Sequence, residues 1–276
     1  MKHDVKKVIA AHDLSGMGRC SLTAVIPILS VMGAQVLPLP TAILSTQTDG
    51  FESFYFRDLT EGITPYFEHL YAQSDSFDAF YSGFLGSAEQ IDAILAIAKR
   101  LKGKMPILVD PVMGDEGEYY STYTSEMALE MRKLISVADI ITPNVTEASF
   151  LLQREPKKSY TDEDIRELVS GLYDMTGASI VVTGIKGKGS VNSAYSSDGK
   201  TVGITENEAL PKHYPGTGDV FASVLLGAIL KGKELPLAVE FASKFVKIVM
   251  EYSMQYDYPA REGVLFEKKL NLLMNF

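Results

Sequence analysis

Short apolar runs alternate with helical patterns along most of this chain, and this alternation sharply limits its fold. Lys7 to Ala11, Gln35 to Leu39 and Pro106 to Asp110 are apolar runs of strand length. Between them, apolar residues at helical spacing predict helices over Ser21 to Met32 and Ser87 to Leu101. Ser87 is the predicted N-cap of the second helix, with Gln90 completing a capping box. Strands that alternate with helices pair in a mostly parallel sheet with helices on both faces. The sequence therefore predicts an α/β fold.

The same reasoning predicts the remaining elements. Strands are predicted over Phe77 to Tyr81, Ile140 to Ile141 and Ser179 to Thr183, and an antiparallel pair over Ser190 to Tyr195 and Thr201 to Glu206. Helices are predicted over Thr60 to Ala72, Thr124 to Ser136, Gly218 to Leu230 and Pro236 to Tyr256, with two more beginning at Thr146 and Thr161. The segment from Thr41 to Phe56 predicts a small excursion over one sheet edge. Because no linker rich in Pro, Gly or Ser divides residues 1–276, we expect a single domain.

The composition excludes several classes of partner. The 276 residues carry a net charge of −9, which argues against nucleic acid as the main partner because phosphate backbones require basic surfaces. Cys20 is the only cysteine, so the sequence excludes an internal disulfide and any multi-cysteine metal site. The first apolar run is too short for a signal peptide, and the longest, Val220 to Leu230, is too short to span a bilayer. We therefore expect a cytoplasmic protein with no membrane partner.

The segment from Gly216 to Asp219 carries the strongest indication of chemistry. Gly216 and Gly218 flank Thr217 just before an apolar helix. The glycines permit a sharp turn, and a helix N-terminus binds anions through its N–H groups and its dipole. Asp219 would lie beside this anion hole, where a carboxylate can accept a proton from a hydroxyl that attacks a phosphoryl group. Alternatively, Asp219 only stabilises the helix N-terminus.

Asp110 is a second candidate because it ends a predicted strand, and ligands bind beyond the carboxyl ends of strands in α/β sheets. Pro111 fixes the turn that follows, and Asp115 and Glu116 lie in the same loop. Acids near phosphates commonly hold Mg²⁺. A polar surface turn would explain Asp115 and Glu116 equally well, but it does not explain Asp110.

Asn144 and Glu147 form a third candidate, again directly after a predicted strand. Glu147 falls one turn into the next helix. Asn144 can cap that helix and Glu147 can complete a capping box. This structural explanation is adequate without any ligand.

Two glycine-containing segments fail the nucleotide-binding patterns that they resemble. His12 to Cys20 lacks the third glycine of the dinucleotide fingerprint because position 21 is Ser, but it still predicts a tight turn that presents Ser15 beside a helix N-terminus. Val182 to Ser190 lacks the Lys that follows the second glycine of a P-loop. A glycine-rich loop that opens a hairpin explains this second segment equally well. The four histidines have no metal-ligand spacing.

Taken together, these segments resemble the pyridoxal kinase branch of the ribokinase superfamily. The matching segments, in the family's order, are Ser15 after the first strand, Thr41 to Gly50, Asp110 to Asp115, Thr142 to Asn144 with Glu147, and Gly216 to Asp219. The resemblance covers about residues 7–256. It implies a ribokinase-like three-layer sandwich that uses MgATP to phosphorylate the 5′-hydroxymethyl group of vitamin B6.

The resemblance also implies a role for each matching residue. Asp219 corresponds to the catalytic base, and Gly216, Thr217 and Gly218 correspond to the anion hole for the transferred phosphoryl group. For ATP and Mg²⁺, the implied residues are Asp110 and Glu147 as the metal-linked acids, with Asn144, Thr183 and Gly184 beside the nucleotide. For the vitamin, the implied residues are Ser15 and Thr48 as contacts to ring substituents and Phe84 as the stacking aromatic.

Two departures from the family pattern leave the preferred vitamer open. Some members have His where this chain has Gln47, and Gln where it has Asp49. Asp49 could pair with an aminomethyl group of the substrate, which would favour pyridoxamine. It is equally well explained as a solvated acid of the loop.

Two alternative functions remain at this point. Hydroxymethylpyrimidine kinase shares the Asp110 and Asn144 segments, but it typically has a glycine-rich first loop and often Cys in place of Asp219. A vitamin-binding protein without turnover would not need Asp219 at all. The family commonly forms dimers with the vitamin site near the subunit interface, so we expect a homodimer. Many members respond to a monovalent cation, and no residue here identifies a site for one.

Overall fold

The computed structural model describes residues 5–74 and 76–274. Its contacts group the chain into two compact units, of which the first comprises Met1–Ala79 with Leu210–Phe276 and the second comprises Phe80–Ala209. The first unit is therefore built from two pieces that are distant in sequence. That residues 1–276 form a single kinase domain stays a prediction.

The elements follow one another along the chain. In order, they are β1 (Lys6–Met17), α1 (Ser21–Val31), β2 (Ala34–Thr46), β3 (Phe56–Asp58), α2 (Thr60–Ala72), β4 (Ala79–Ser82), α3 (Ala88–Leu101), β5 (Ile107–Val109), β6 (Gly114–Asp115), β7 (Glu118–Tyr119), α4 (Ser125–Ile135), β8 (Ile140–Ile141), α5 (Val145–Leu151), α6 (Asp162–Thr176), β9 (Ser179–Lys186), β10 (Ser190–Ser196), β11 (Gly203–Glu208), α7 (Thr217–Leu230) and α8 (Leu235–Ser253), followed by short 3₁₀ turns at Ala260–Glu262 and Leu270–Leu273. Strands and helices alternate as predicted, and the α/β fold class with a mostly parallel, helix-flanked sheet is confirmed.

In the first unit, β1 and β2 form a long parallel pair that runs from Lys6 opposite Ala34 to Met17 opposite Thr46. β3 adds to β2 as an antiparallel strand at Ala42 to Leu44. The segment from Thr41 to Phe56 thus begins inside β2 and leads to an added strand, rather than forming only an excursion over the edge.

The tight turn predicted directly after the first strand is wrong. β1 continues through His12 and Ser15 as far as Met17, and only then does the chain turn toward α1. The physical reason is that the second half of β2 supplies a hydrogen-bonding partner for this stretch. Ser15 therefore lies within a strand and not in a tight turn.

In the second unit, β4, β5, β8 and β9 pair in parallel in that order, and β10 and β11 continue as antiparallel strands. The hairpin of β9 and β10 confirms the glycine-rich hairpin explanation for the segment after Val182. Ile107 to Val109 on β5 and Ile180 to Val182 on β9 are fully buried. Continuous apolar runs are typical of strands that are covered on both faces.

Helix caps explain where the helices of the second unit begin. Ser87 caps α3 by accepting a hydrogen bond from the backbone N–H of Gln90 at 3.2 Å, as predicted. The Gln90 side chain accepts from Gly86 instead of completing the predicted capping box. Thr161 caps α6 in a full capping box with Asp164. Within the described residues, the structure contains no helix both long and apolar enough to cross a membrane.

Candidate active site

The glycine turn before α7 belongs to the first unit and forms a helix N-terminus one residue earlier than predicted. Gly216 is the N-cap, with φ +80° and ψ 0°, and its carbonyl oxygen accepts from the N–H of Val220 at 3.1 Å. The first N–H groups of a helix have no acceptor within it, and the helix dipole is positive there. This turn can therefore bind an anion, which is the property that the motif predicted.

Gly216 is required at this turn for two reasons. Its positive φ is strained for any residue with a Cβ atom. A Cβ atom at this position would also lie 2.4 Å from the carbonyl oxygen of Arg19 and 3.2 Å from the Cβ of Cys20. The turn is thus held against the backbone that joins β1 to α1.

Asp219 lies in the first turn of α7, with 13% of its side chain exposed. Its Oδ1 is 3.8 Å from Nδ1 of His12, a fully buried residue of β1. Burial lowers the pKa of His12 to about 3, so the imidazole is neutral at neutral pH. His12 was not a sequence-predicted site residue, because nothing in its local sequence shows that α7 lies beside it.

Asp13 forms a second unpredicted feature of the first unit. Its carboxylate accepts hydrogen bonds from the hydroxyls of Ser15 at 2.7 Å and Ser21 at 2.5 Å. Burial raises the pKa of Asp13. The pKa of the Cys20 thiol is raised by burial and then by the charges of Asp13 and Asp219. Ser15 thus contacts Asp13, and Asp219 lies 3.8 Å from His12, the residue before Asp13 in the chain.

The loop that carries Thr48 and Asp49 is held by Gln47, which is buried. Gln47 Oε1 accepts from the N–H of Asp49 at 2.6 Å, and its Nε2 donates to the carbonyl oxygens of Asp49 and Arg261. Thr48 is half-buried and Asp49 is exposed. Because both ends of its side-chain amide are hydrogen-bonded to backbone groups, Gln47 holds this loop in place.

In the second unit, Asp110 and Glu147 are a pair of buried carboxylates. Asp110 accepts from the hydroxyl of Thr142 at 2.8 Å. Glu147 accepts from the N–H groups of Met113 at 3.0 Å and Asn144 at 2.8 Å. Burial raises the pKa of Asp110 to about 7, and burial together with the charge of Asp110 raises the pKa of Glu147.

The repulsion between Asp110 and Glu147 fits a site for a divalent cation. Among the described residues, no group of three or more His, Cys, Asp or Glu side chains could hold a metal ion by itself. Mg²⁺ is commonly bound by only one or two carboxylates, with substrate phosphates and water as the other ligands. Two buried acids that destabilise each other are suited to that arrangement.

Asn144, Thr183 and Gly184 lie side by side next to this pair. Asn144 caps α5, and its side-chain Oδ1 accepts from the N–H of Glu147 at 2.9 Å, which confirms the predicted capping box. Asn144 also forms a parallel bridge with Thr183, whose N–H donates to the carbonyl of Pro143 at 2.9 Å. A Cβ on Gly184 would lie 3.7 Å from the Cβ of Asn144.

Phe84, the aromatic residue predicted to stack on the vitamin, follows β4 and is half-buried.

The hairpin of β6 and β7 was missed in the sequence. Its turn places Glu116 and Gly117 at positive φ, and the pair of Asp115 with Glu118 closes it. The two turn residues are Glu116 and Gly117, not the Asn-Gly or Asp-Gly pair that usually marks such a hairpin, so the local signal was weak. Lys186 reaches this turn through an ion pair of 2.6 Å with Glu116.

We expect Asp110→Asn to be more stable than the wild type above pH 7 without Mg²⁺. A carboxyl whose folded pKa is raised stabilises the fold below its unfolded pKa of about 4, and that stability is lost as the pH rises through about 7. Asn keeps the acceptor for Thr142 and removes the charge. Thermal unfolding between pH 5 and 8 measures the difference.

Asp198→Asn is the matched control for this experiment. Hydrogen bonds from the N–H groups of Thr201 and Lys200 lower the pKa of Asp198 to about 2, so its charge stabilises the fold and the variant should lose stability. If the melting temperatures of Asp110→Asn and the wild type change in parallel with pH, ionisation of Asp110 does not destabilise the fold.

The fold is that of a kinase of the ribokinase-like α/β type. The model of the phosphomethylpyrimidine kinase family matches residues 24–262, and the chain belongs to that family. A pyridoxal kinase of Arabidopsis thaliana is 30% identical over 232 residues, which cover 79% of this chain and 72% of that protein. The resemblance to pyridoxal kinases is thereby confirmed.

Two further proteins similar to this chain are connected with pyridoxal and with thiamine biosynthesis. The crystal structure of a candidate phosphomethylpyrimidine kinase from Bacteroides thetaiotaomicron, determined with pyridoxal, is 41% identical with a TM-score of 0.93 and covers 98% of this chain and 96% of that one. The chloroplast thiamine biosynthetic bifunctional enzyme of Arabidopsis thaliana is 27% identical over 87% of this chain. The chain spans only 45% of that longer protein.

Proposed function

We propose that this chain transfers the γ-phosphoryl group of ATP to the 5′-hydroxymethyl group of a B6 vitamer, with Asp219 as the base. The observation that carries this proposal is the position of Asp219 in the first turn of α7, immediately after the left-handed Gly216. A proton acceptor and a set of N–H donors therefore lie on the same helix turn. The related Bacteroides protein crystallised with pyridoxal supports the choice of substrate.

The chemistry assigned to this turn is that of a positioned base beside an anion hole. A primary alcohol is a poor nucleophile until its proton leaves, and the Asp219 carboxylate accepts that proton as the oxygen attacks. The N–H groups that follow Gly216 hold the negative charge that develops on the transferred phosphoryl group. Thr217 braces the turn through a hydrogen bond of 3.3 Å to the carbonyl oxygen of Tyr214.

In this proposal, residues of the second unit bind the nucleotide and its metal ion. Asp110 and Glu147 would hold Mg²⁺, and Asn144, Thr183 and Gly184 would border the ATP. When it is bound, Mg²⁺ neutralises phosphate charge and orients the triphosphate. Lys186 lies near these residues in sequence, but it already pairs with Glu116. The proposed site therefore requires Mg²⁺ in addition to the positively charged side chains of the protein.

For the vitamin, the proposal keeps Ser15, Thr48, Asp49 and Phe84 as contacts. The hydroxyl of Ser15 donates to Asp13, so its oxygen presents an acceptor to a substrate. Asp49 is exposed on a loop that Gln47 holds in place, and it can meet a charged substituent of the ring. An aminomethyl group would be such a substituent.

Phosphorylation of hydroxymethylpyrimidine is the second candidate function. It is favoured by the family to which the chain belongs and by the thiamine biosynthetic relative. Both reactions phosphorylate a hydroxymethyl group on a nitrogen heterocycle, so the same base and anion hole serve either one. A vitamin-binding protein without turnover is disfavoured, because binding does not require Asp219 in the first turn of α7.

A side-by-side assay of substrates tests the proposal. ADP release from ATP is measured with pyridoxal, pyridoxamine, pyridoxine and hydroxymethylpyrimidine, with Mg²⁺ and with excess chelator. We expect turnover of at least one B6 vitamer, faster than turnover of the pyrimidine and dependent on Mg²⁺. A vitamer analogue that lacks the 5′-hydroxyl is the control for ATP hydrolysis. Faster turnover of the pyrimidine, or full activity in chelator, would contradict the proposal.

We also propose that the chain is a homodimer. The proposed dimer contact includes two exposed apolar residues, Leu14 and Ile43. They lie opposite each other in the register of β1 and β2, with exposures of 37% and 42%. Light scattering at micromolar concentration should give twice 30.3 kDa, and Ile43→Glu should lower the mass toward that of one chain. Leu237→Glu on α8, at 44% exposure, is the control and should leave the mass unchanged. A monomeric wild type would count against the dimer.

A further inference from the structure

We propose that His12 is a positioning residue that orients the carboxylate of Asp219 by donating a hydrogen bond from Nδ1. This inference rests on the proposed role of Asp219 as the base and extends it to a residue on another element. His12 does not contact the substrate in this account. It acts only through Asp219.

The geometry of the pair carries the inference. His12 lies on β1 and Asp219 lies on α7, and both belong to the first unit. The Nδ1 and Oδ1 atoms are 3.8 Å apart, so they are neighbours but beyond hydrogen-bond distance in this structure. Contacts of catalytic groups are often long in ligand-free structures and shorten when substrate binds.

The packing of His12 fixes the direction of its ring. The residue has no exposed surface, so its orientation is set by the core and not by solvent. The pairing of β1 with β2 also shifts register between His12 and Leu14. Irregularities of this kind re-aim side chains and are common beside active sites. A side chain that is fixed in this way can restrict the rotamers of a neighbour.

The charge state of His12 suits a positioning role. Burial lowers its pKa to about 3, so it remains a neutral imidazole with one N–H. A cationic imidazolium beside Asp219 would stabilise the carboxylate and make it a weaker base. The neutral ring can orient the carboxylate without that loss. The nearby carboxyl of Asp13 is already occupied by the hydroxyls of Ser15 and Ser21.

Three substitutions distinguish this role from simple core packing. His12→Asn places an amide N–H near the position of Nδ1, His12→Gln places it near Nε2, and His12→Leu removes it. We expect kcat to fall by about 10–100-fold in the Gln and Leu variants, because misplacing a catalytic group by about 1 Å can cost that much. His12→Asn should recover most of the loss. The KM values for ATP and pyridoxal should stay within about threefold of the wild type.

A buried apolar substitution controls for lost stability. Phe67→Leu truncates a buried ring on α2 of the same unit and should lower the melting temperature without lowering kcat.

A double-mutant cycle adds a second measurement that a purely structural role of His12 would not affect. In an Asp219→Asn background, His12→Leu should cost less than about threefold more, because the carboxylate that His12 orients is already absent.

The outcomes separate this inference from the proposed function. Equal kcat for His12→Leu and the wild type, or equal losses for the Asn and Gln variants, would overturn the positioning role while leaving the kinase assignment intact. Full additivity of His12→Leu and Asp219→Asn would also overturn it. A wild type that phosphorylates no B6 vitamer would overturn both.

Discussion

Asp219→Asn is expected to lower kcat by about 10²–10⁴-fold, which is the usual contribution of general-base catalysis. Asn has nearly the same size and caps helices well, but its amide lacks the basic lone pair of the carboxylate. Binding of ATP and of the vitamer should change far less, because neither ground state depends on the proton transfer. If Asp219 only stabilised α7, the variant would instead lose some stability and keep a nearly normal kcat.

Steady-state kinetics and thermal unfolding of the same preparation separate these two roles. Asp162→Asn is the matched control, since Asp162 is an exposed acid in the first turn of α6, where it interacts favourably with the helix dipole. That control should leave kcat unchanged. A folded Asp219→Asn variant that keeps more than about a tenth of the wild-type kcat would show that Asp219 is not the base.

Gly216→Ala is expected to lower kcat by about 10²–10³-fold, the range measured when one donor of an oxyanion hole is lost. A methyl group would sit 2.4 Å from the carbonyl oxygen of Arg19, so the turn must move away from the backbone before α1. The left-handed φ of +80° adds roughly 1–2 kcal/mol of strain for a residue with a Cβ atom. The N–H groups of the first turn of α7 would then point away from the phosphoryl position.

Gly232→Ala separates the backbone strain from the clash. Gly232 follows the same helix and also has φ +80°, but a Cβ there meets no described atom within 4 Å apart from its chain neighbours. It should lower the melting temperature modestly and leave kcat unchanged. If Gly216→Ala and Gly232→Ala behave alike in kinetics, the close contact with Arg19 does not shape an anion hole.

The elements with strong local signals could be predicted from the sequence. α2 begins and ends at the predicted residues, Thr60 and Ala72. The capping box of Asn144 and Glu147 is also present as predicted, because its two partners are three residues apart and need no distant contact. Periodicity and capping are local properties, so one sequence is enough to show them.

The extensions of β1 and β2 could not be predicted in this way. His12, Asp13 and Gly16 are typical of a turn, and only the distant strand β2 makes them part of a ladder. The same non-local pairing buries His12 and brings it to Asp219, more than 200 residues away. The contact of Gln47 with Arg261 is equally remote. Motif residues were therefore predictable, whereas the residues that hold them were not.

Phosphorus NMR of the product formed from ATP, Mg²⁺ and pyridoxal tests the central claim most directly. The account predicts a new phosphate monoester whose phosphorus couples to the two protons of the 5′-methylene group, formed by the wild type and not at a comparable rate by Asp219→Asn. Release of inorganic phosphate alone, or an ester that forms only with hydroxymethylpyrimidine, would contradict it.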